Sequence, residues 1–457
     1  MTHLSLTLEK SVPRRNLGLV FPSIEKKDFL LALMIAVFSI GVLALSLKFQ
    51  VFDIWKDFLT STKFLKFSTY FLIPSSIVMT VGLLFRTILW IRYKPVIPRE
   101  NTIWPSISVI MPALNEEDSI LESIESIFAS HYPKDRLEVI AINDGSTDST
   151  LQKMMDAKKR HKDHCQVIHF PKNMGKRTAI YRGVKIAKGE MIVTVDTDSR
   201  IDPNALRNIV VPLLQDKKCG AVAGRVEVWN RKDTLLTRML SVRYSLSFNF
   251  GRAYQSVFGT VLCCPGALTA YRKDIVLKFL DDWKNQKFLN SECTYGEDRA
   301  LTTLILKSGF MTRFQSNAVV FTRVPARFKK MVKMYIRWNR SCFRETVLFS
   351  RFMFSKYRNR NRALPLIDFF FLNIIYPFHL FAFGIIIYSF AAQPVLFLRH
   401  LSFIILGSFF LSLYYLRSQK NIVFLYGIPY GLLTALCLWW IFPFAVFSVR
   451  SKSWMTR

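Results

Sequence analysis

Acidic residues are scarce in this chain: 32 Asp and Glu stand against 63 Lys and Arg over 457 residues, a formal charge of +31. That deficit excludes an acidic cation-buffering protein and leaves two classes of partner, nucleic acid and an anionic membrane surface. No Cys-x-x-Cys pair occurs among the seven cysteines, which argues against a zinc ribbon, a dithiol redox site or a disulfide framework, so free buried thiols are expected. No internal repeat or low-complexity tract is present, and no signal-peptide pattern opens the chain. Residues 1–27 are polar, with Arg14, Arg15, Lys26 and Lys27 ahead of the first apolar run.

Half of the residues, 51%, are hydrophobic, and they are segregated from the charges. Uncharged runs at residues 30–47 and 67–85 are long enough to cross a bilayer at about 1.5 Å per residue. Basic residues before the first and after the second (Arg86, Arg92, Lys94) place both flanks in the cytosol. Residues 28–95 are thus expected to hold two transmembrane helices behind a cytosolic tail at 1–27, and residues 96–322 a cytosolic domain. Residues 323–362 contain 13 Lys or Arg and a single acid, Glu345, interleaved with aromatics. Because an apolar run follows directly, this stretch reads as basic amphipathic helices on an anionic membrane surface, apolar side down and basic side out, in preference to a nucleic-acid arm. Apolar runs return at 366–391, 395–416 and 422–449, within a C-terminal membrane region at 363–449 before a basic tail at 450–457. Two spans before the domain and three after would leave that tail outside, against its charge. Pro429 and Pro443 make the last run the candidate for a re-entrant segment.

Within the domain, short β runs at 107–111, 137–142, 167–170 and 191–195 alternate with helical patterns at 119–130, 150–159 and 178–188. Such alternation predicts an α/β fold with a parallel or mixed sheet covered by helices, and a ligand site at the carboxyl ends of the strands.

Polar motifs fall at that edge. Asp196-Thr197-Asp198 follows a strand directly, and paired carboxylates there can offer oxygens to Mg²⁺ or Mn²⁺ bridging a diphosphate, although a solvated loop looks the same. Asp144, in Asn143-Asp144-Gly145-Ser146, ends the second strand and Glu116 lies in the loop after the first, where both can accept hydrogen bonds from a base or ribose; Lys176 and Arg177 can meet phosphate. Turn chemistry alone also accounts for each. In Gly296-Glu297-Asp298-Arg299, a carboxylate can serve as general base or simply favour a helix N-terminus. Arg337-Trp338 offers a guanidinium fork and a flat ring, or an interfacial anchor.

Taken in order, these motifs, with Pro112-Ala113-Leu114-Asn115-Glu116, resemble the processive family-2 β-glycosyltransferases: hyaluronan, chitin and cellulose synthases. Val242-Arg243-Tyr244, the segments 252–256 and 282–286, and the continuation of Arg337-Trp338 through Glu345 are similar to hyaluronan synthases in particular. The terminal Trp454-Met455-Thr456-Arg457 is similar to that family's Trp-x-Thr-Arg. The resemblance implies a glycosyltransferase-A-like domain set between transmembrane helices. It implies Glu116 and Asp144 on the uridine, Lys176 and Arg337 on the diphosphate, and Asp196 on both donor and metal with Asp198. Asp298 would be the base, and Glu297, Met334 and Trp338 would face the acceptor. Trp454, Thr456 and Arg457 would close over the nucleotide.

The implied activity is an inverting β-glycosyltransferase that polymerises UDP-sugars with Mg²⁺ or Mn²⁺ and exports the chain through its own helices. The product expected first is hyaluronan, from UDP-GlcNAc and UDP-GlcA, at the plasma membrane; no nucleic acid and no protein partner is implied. Gly-Glu-Asp-Arg in place of Gly-Asp-Asp-Arg, and a short C-terminus, are shared with chito-oligosaccharide synthases, which use UDP-GlcNAc alone. Met334 stands where the family's Gln-x-x-Arg-Trp has Gln, leaving open a non-processive, glycolipid-forming transferase. A catalytically silent channel or scaffold is the remaining alternative, and the presence of both metal and base carboxylates weighs against it.

Overall fold

The computed structural model describes residues 25–354 and 362–451. The gating candidates Trp454, Thr456 and Arg457 lie outside the described residues.

Seven consecutive buried residues form β1 (Ile107–Ala113), apolar apart from Ser108, as in a strand covered on both faces. It continues through Pro112, where a stop was expected. Pairing with β4 ends at Ile110↔Thr194, so at Pro112 only β2 lies alongside, and a missing N–H is tolerated at such an edge. The further strands are β2 (Leu137–Asn143), β3 (Cys165–His169), β4 (Met191–Thr194), β5 (Ser199–Ile201), β6 (Cys219–Val228), β7 (Thr269–Arg272), a hairpin of β8 (Lys287–Phe288) and β9 (Ser291–Glu292), and β10 (Met311–Thr322).

The main sheet runs β3-β2-β1-β4-β7-β6-β10-β5. The four strands expected from the sequence are its parallel half. Beyond them β7 is antiparallel to both neighbours, β6 and β10 are parallel, and β5 closes the edge antiparallel, so the sheet is mixed. Helices pack closely on it: a Cβ at Gly183, in helix Lys176–Ile186, would lie 2.7 Å from Ile110 Cγ2.

Among the described residues three helices are long and apolar enough to cross a membrane: Lys26–Lys48, Lys63–Arg92 and Leu396–Gln419. A short amphipathic helix, Val51–Thr60, lies between the first two. The run expected at 366–391 divides into Ala363–Asn373 and Ile375–Ala392. The last run is bent by 51° between Ile422–Cys437 and Ile441–Phe447. Both of its ends face the domain that carries the sheet. Just ahead of it, Gln419 Nε2 donates to Glu227 of β6 (3.3 Å); at its far end, the carbonyls of Val449 and Ser451 accept from the Tyr295 hydroxyl (3.3 and 3.0 Å).

The basic stretch forms one 25-residue helix, Phe328–Phe352, but not all of its cations face outward. Arg340 and Arg344 are buried, and Arg344 donates to Glu345 (2.9 Å) and to the Tyr295 carbonyl (2.7 Å). The helix is thereby fastened to the domain, whereas its composition pointed to a membrane surface with its cations outward. Composition cannot show which charges have internal partners.

Candidate active site

The carboxyl ends of β1, β2 and β4 carry loops that side-chain hydrogen bonds tie together. Asn115, with φ of 54°, accepts the Thr147 N–H (2.9 Å) and so joins the loops after β1 and β2. The Glu116 carboxylate accepts from Ser119 (3.3 Å), and its N–H donates to Thr150 (2.8 Å). Asp144 is buried, and its two oxygens accept the N–H groups of Met174 (2.7 Å) and Gly175 (3.0 Å). Asp144 thus shapes the turn that precedes Lys176, the first residue of its helix.

Lys176 is the centre of the site. Its ammonium bridges Asp196 Oδ1 (2.6 Å) and Glu297 Oε1 (3.0 Å). Burial disfavours the charge, but the two carboxylates outweigh it and hold the amine protonated above its ordinary range. Glu297 follows the same balance: burial opposes its charge, yet Lys176, its backbone N–H and Arg337 draw its pKa down to about 2. Asp298 differs. Burial, then the Glu297 charge beside it, push its carboxyl up. Adjacent carboxylates with opposite shifts are what a bound counter-charge and a proton acceptor require. Arg177, the other phosphate candidate, turns away: its guanidinium donates to Gln286 Oε1 (3.0 Å) and lies over the Trp283 ring.

Asp198 accepts from Ser199 (3.1 Å) and Thr322 (3.3 Å), and burial followed by the Asp196 charge raises its pKa. Among the described residues no group of three or more His, Cys, Asp or Glu is arranged to enclose a metal. An Asp pair alone fits a divalent cation that completes its oxygen shell from a diphosphate and water. Gly266 leaves room at this point, since a Cβ there would lie 3.1 Å from both Asp196 Oδ1 and Lys176 Nζ.

Lys176, Asp196, Asp198, Gly266, Glu297 and Asp298 open onto one cavity of ≈ 840 Å³, which also reaches Met334, Arg337 and Trp338; Glu116, Asp144 and Arg177 do not line it. Trp338 is 38% exposed and stands between the rings of Tyr335 and Tyr244, at centroid distances of 5.7 and 6.1 Å. Met334 reaches the cavity from an apolar cluster with Leu240, Tyr335 and Ile441. Tyr376, Tyr430 and Thr434, from the C-terminal helices, line it as well.

Sequence reasoning missed several lining residues. Arg252 ends a π-helical turn, Leu246–Arg252, of a kind frequent at functional sites. Cys263 lies 3.9 Å from Asp298 Oδ2, and burial with the Asp298 charge pushes its thiol up to about 12, which leaves it un-ionised and a poor nucleophile. The π turn leaves no mark in the apolar pattern; Arg243, Tyr244 and Arg252 did stand in family-like segments, but without a role.

Residues 108–280 match the family described as Glycosyl transferase family 2. The chain is 35% identical over 252 residues to an N-acetylglucosaminyltransferase of Rhizobium meliloti, covering 55% of this chain and 59% of that protein. It is 34% identical over 247 residues to a hyaluronan synthase of Streptococcus pyogenes, covering 53% and 58%. The matches thus span somewhat more than half the length of these curated relatives. A mannosyltransferase from Pyrobaculum calidifontis, solved with GDP-Man and Mn²⁺, superposes with a TM-score of 0.56 at 20% identity, over 80% of this chain and 98% of that one. At that identity the likeness concerns the fold, which is glycosyltransferase-A-like. The chain carries a family-2 glycosyltransferase domain.

Proposed function

We propose that this protein is a membrane-integrated, inverting β-glycosyltransferase that extends a polysaccharide from UDP-sugars at the cytosolic face of the plasma membrane. One observation carries the reading: a single cavity holds the Asp196–Asp198 pair, Lys176, Asp298 and the Arg337-Trp338 pair, and continues to side chains of the C-terminal helices. Asp298 takes the proton from an acceptor hydroxyl as that oxygen attacks the anomeric carbon from the face opposite the nucleotide. The glycosidic bond forms as the bond to the diphosphate breaks, and UDP leaves with its charge met by Lys176 and Arg337. Asp198 and Asp196 would hold Mg²⁺ or Mn²⁺, which supplies Lewis-acid stabilisation of the leaving diphosphate. Glu116 and Asp144 bound the nucleoside end, Asp144 also by shaping the turn before Lys176. Glu297 acts first as counter-ion to Lys176, and its acceptor role depends on that pair opening. Trp338 stacks beneath the acceptor sugar, and Trp454, Thr456 and Arg457 close over the nucleotide.

The product read first is hyaluronan, from UDP-GlcNAc and UDP-GlcA. The second reading, a chito-oligosaccharide from UDP-GlcNAc alone, is favoured by Glu297 in Gly-Glu-Asp-Arg and by the names of relatives such as that of Rhizobium meliloti. Purified protein given UDP-GlcNAc with and without UDP-GlcA separates them. A hyaluronidase-sensitive product that requires both donors supports the first, a chitinase-sensitive product from one donor supports the second, and no product from either overturns both.

A further inference from the structure

The first membrane helix holds a charge that anchoring does not need. Asp28, near its start, is fully buried. Its carboxylate accepts from Arg238 Nε (2.9 Å), from the Tyr426 hydroxyl (3.1 Å) and from the Glu25 N–H (3.0 Å), with Arg231 Nη2 at 3.9 Å. An apolar residue would anchor the helix without the desolvation that a buried carboxylate carries, so its partners are the informative part.

Those partners belong to two helices that both reach the cavity. Arg238 lies on Leu235–Ser245, whose last turns carry Arg243 and Tyr244 into the lining. Tyr426 precedes Gly427–Cys437 and sits one turn before Tyr430, which also lines the cavity. At the cavity end the Arg243 charge interacts with the Tyr430 and Tyr335 hydroxyls, which meet at 2.9 Å. The two helices are therefore tied at two levels, by Asp28 at one and by Arg243–Tyr430 at the other. Between these levels they touch closely, since a Cβ on Gly427 would lie 3.3 Å from Val242 Cγ1.

We infer that Asp28 is a positioning residue for the acceptor site: through Arg238 and Tyr426 it fixes the separation of Tyr244, whose ring faces Trp338, and Tyr430, whose hydroxyl meets that of Tyr335, the other ring beside Trp338. This rests on the glycosyl-transfer reading above. Asp28 touches neither donor nor acceptor, so loosening it changes acceptor binding and leaves the donor end, built on the sheet, as it was.

The test uses the full chain in lipid nanodiscs with UDP-GlcNAc as donor and an N-acetylglucosamine tetramer as acceptor. Tyr426→Phe removes one hydrogen bond and strands no charge; Asp28→Asn removes the charge, and Asp28→Glu restores it one methylene further out. The expected result is an acceptor KM raised about five-fold by Tyr426→Phe, as loss of about one hydrogen bond predicts, and further by Asp28→Asn, with partial recovery in Asp28→Glu. Donor KM and acceptor-independent UDP release stay within about two-fold. A lowered melting temperature with unchanged acceptor KM, or equal rises in both KM values, overturns the inference. If Asp28→Asn fails to fold, Tyr426→Phe decides alone. Tetramer binding followed by tryptophan fluorescence makes the same comparison without turnover. A wild-type protein that releases no UDP overturns the transfer reading, while the ratio of tetramer affinities still decides the role of Asp28.

Discussion

Lys176 already has two carboxylate partners, so the chemistry of the site turns on which of its acids can change partner. Asp198 forms no ion pair among the described residues, and burial, then the charge of Asp196 beside it, outweigh the pull of Lys176 and raise its pKa. Asp198→Asn is expected to abolish turnover and weaken metal-dependent UDP binding while the protein still folds; wild-type turnover would remove the metal assignment. Asp298→Asn should keep UDP-sugar binding and lose about 10²–10⁴ in transfer rate, because a base is needed only when the acceptor attacks. The pH dependence follows from the direction of the Asp298 shift. The working form is the carboxylate, so kcat should rise with pH through a pKa above 3.8 and level off beyond it; a limb at or below the ordinary carboxylate value would place the base elsewhere. Met334 is 6% exposed within an apolar cluster yet lines the cavity. Met334→Gln is expected to lengthen the product if its amide turns into the cavity, and to lower stability by about 1–3 kcal/mol if it stays among the apolar side chains. Sizing the product and measuring the melting temperature of the same variant separates the two. Unchanged length at unchanged stability would make Met334 plain packing.

At the scale of elements, the Gly296-Glu297-Asp298 turn depends on how closely the helix Phe328–Phe352 approaches it. Gly296 has φ of +72°, and a Cβ there would lie 2.4 Å from Ser341 Cβ. Gly296→Ala is therefore expected to reduce transfer far more than donor affinity, because it pushes the Trp338 helix off the base turn; equal effects on both would mean that the turn serves the donor alone. This contact also marks where the sequence stopped being legible. The parallel half of the sheet could be read because each strand is a short apolar run ended by a polar turn, and that ending placed Asp144, Asp196 and Asp198 at one edge. The position of β7 between β4 and β6 could not, since pairing over such separations leaves no local periodicity. The base turn was recognised by its residues, but its fastening by Trp283, whose ring N–H donates to the Glu297 carbonyl at 2.9 Å, is a tertiary fact. So is the inward turn of Arg340 and Arg344 in a segment that composition assigned to a lipid surface.

For the whole molecule, a re-entrant course of the bent last run would resolve the odd count of apolar segments. Both of its ends contact the catalytic domain, so on the proposed topology it enters and leaves on the cytosolic side. Among the described residues Lys26–Lys48, Lys63–Arg92 and Leu396–Gln419 are long enough to cross, and this topology requires one further crossing within 363–392, about four in all. Reporters of membrane sidedness inserted after Gln419 and after Arg450 should then report the same side as the catalytic domain; opposite sides would make the bent run a full span. The Asp28 clamp adds a constraint of another kind, one of timing. Its partners Arg238 and Tyr426 lie 210 and 398 residues further along the chain. At about 5–20 residues per second, the Tyr426 contact can form only some 20–80 s after Asp28 has left the ribosome. Until then the nascent first helix carries a carboxylate with an incomplete set of partners, and it is held at the bilayer by its apolar length alone. Biogenesis of this protein therefore has a built-in wait, during which the first helix is open to quality control and after which it becomes fixed to the domain.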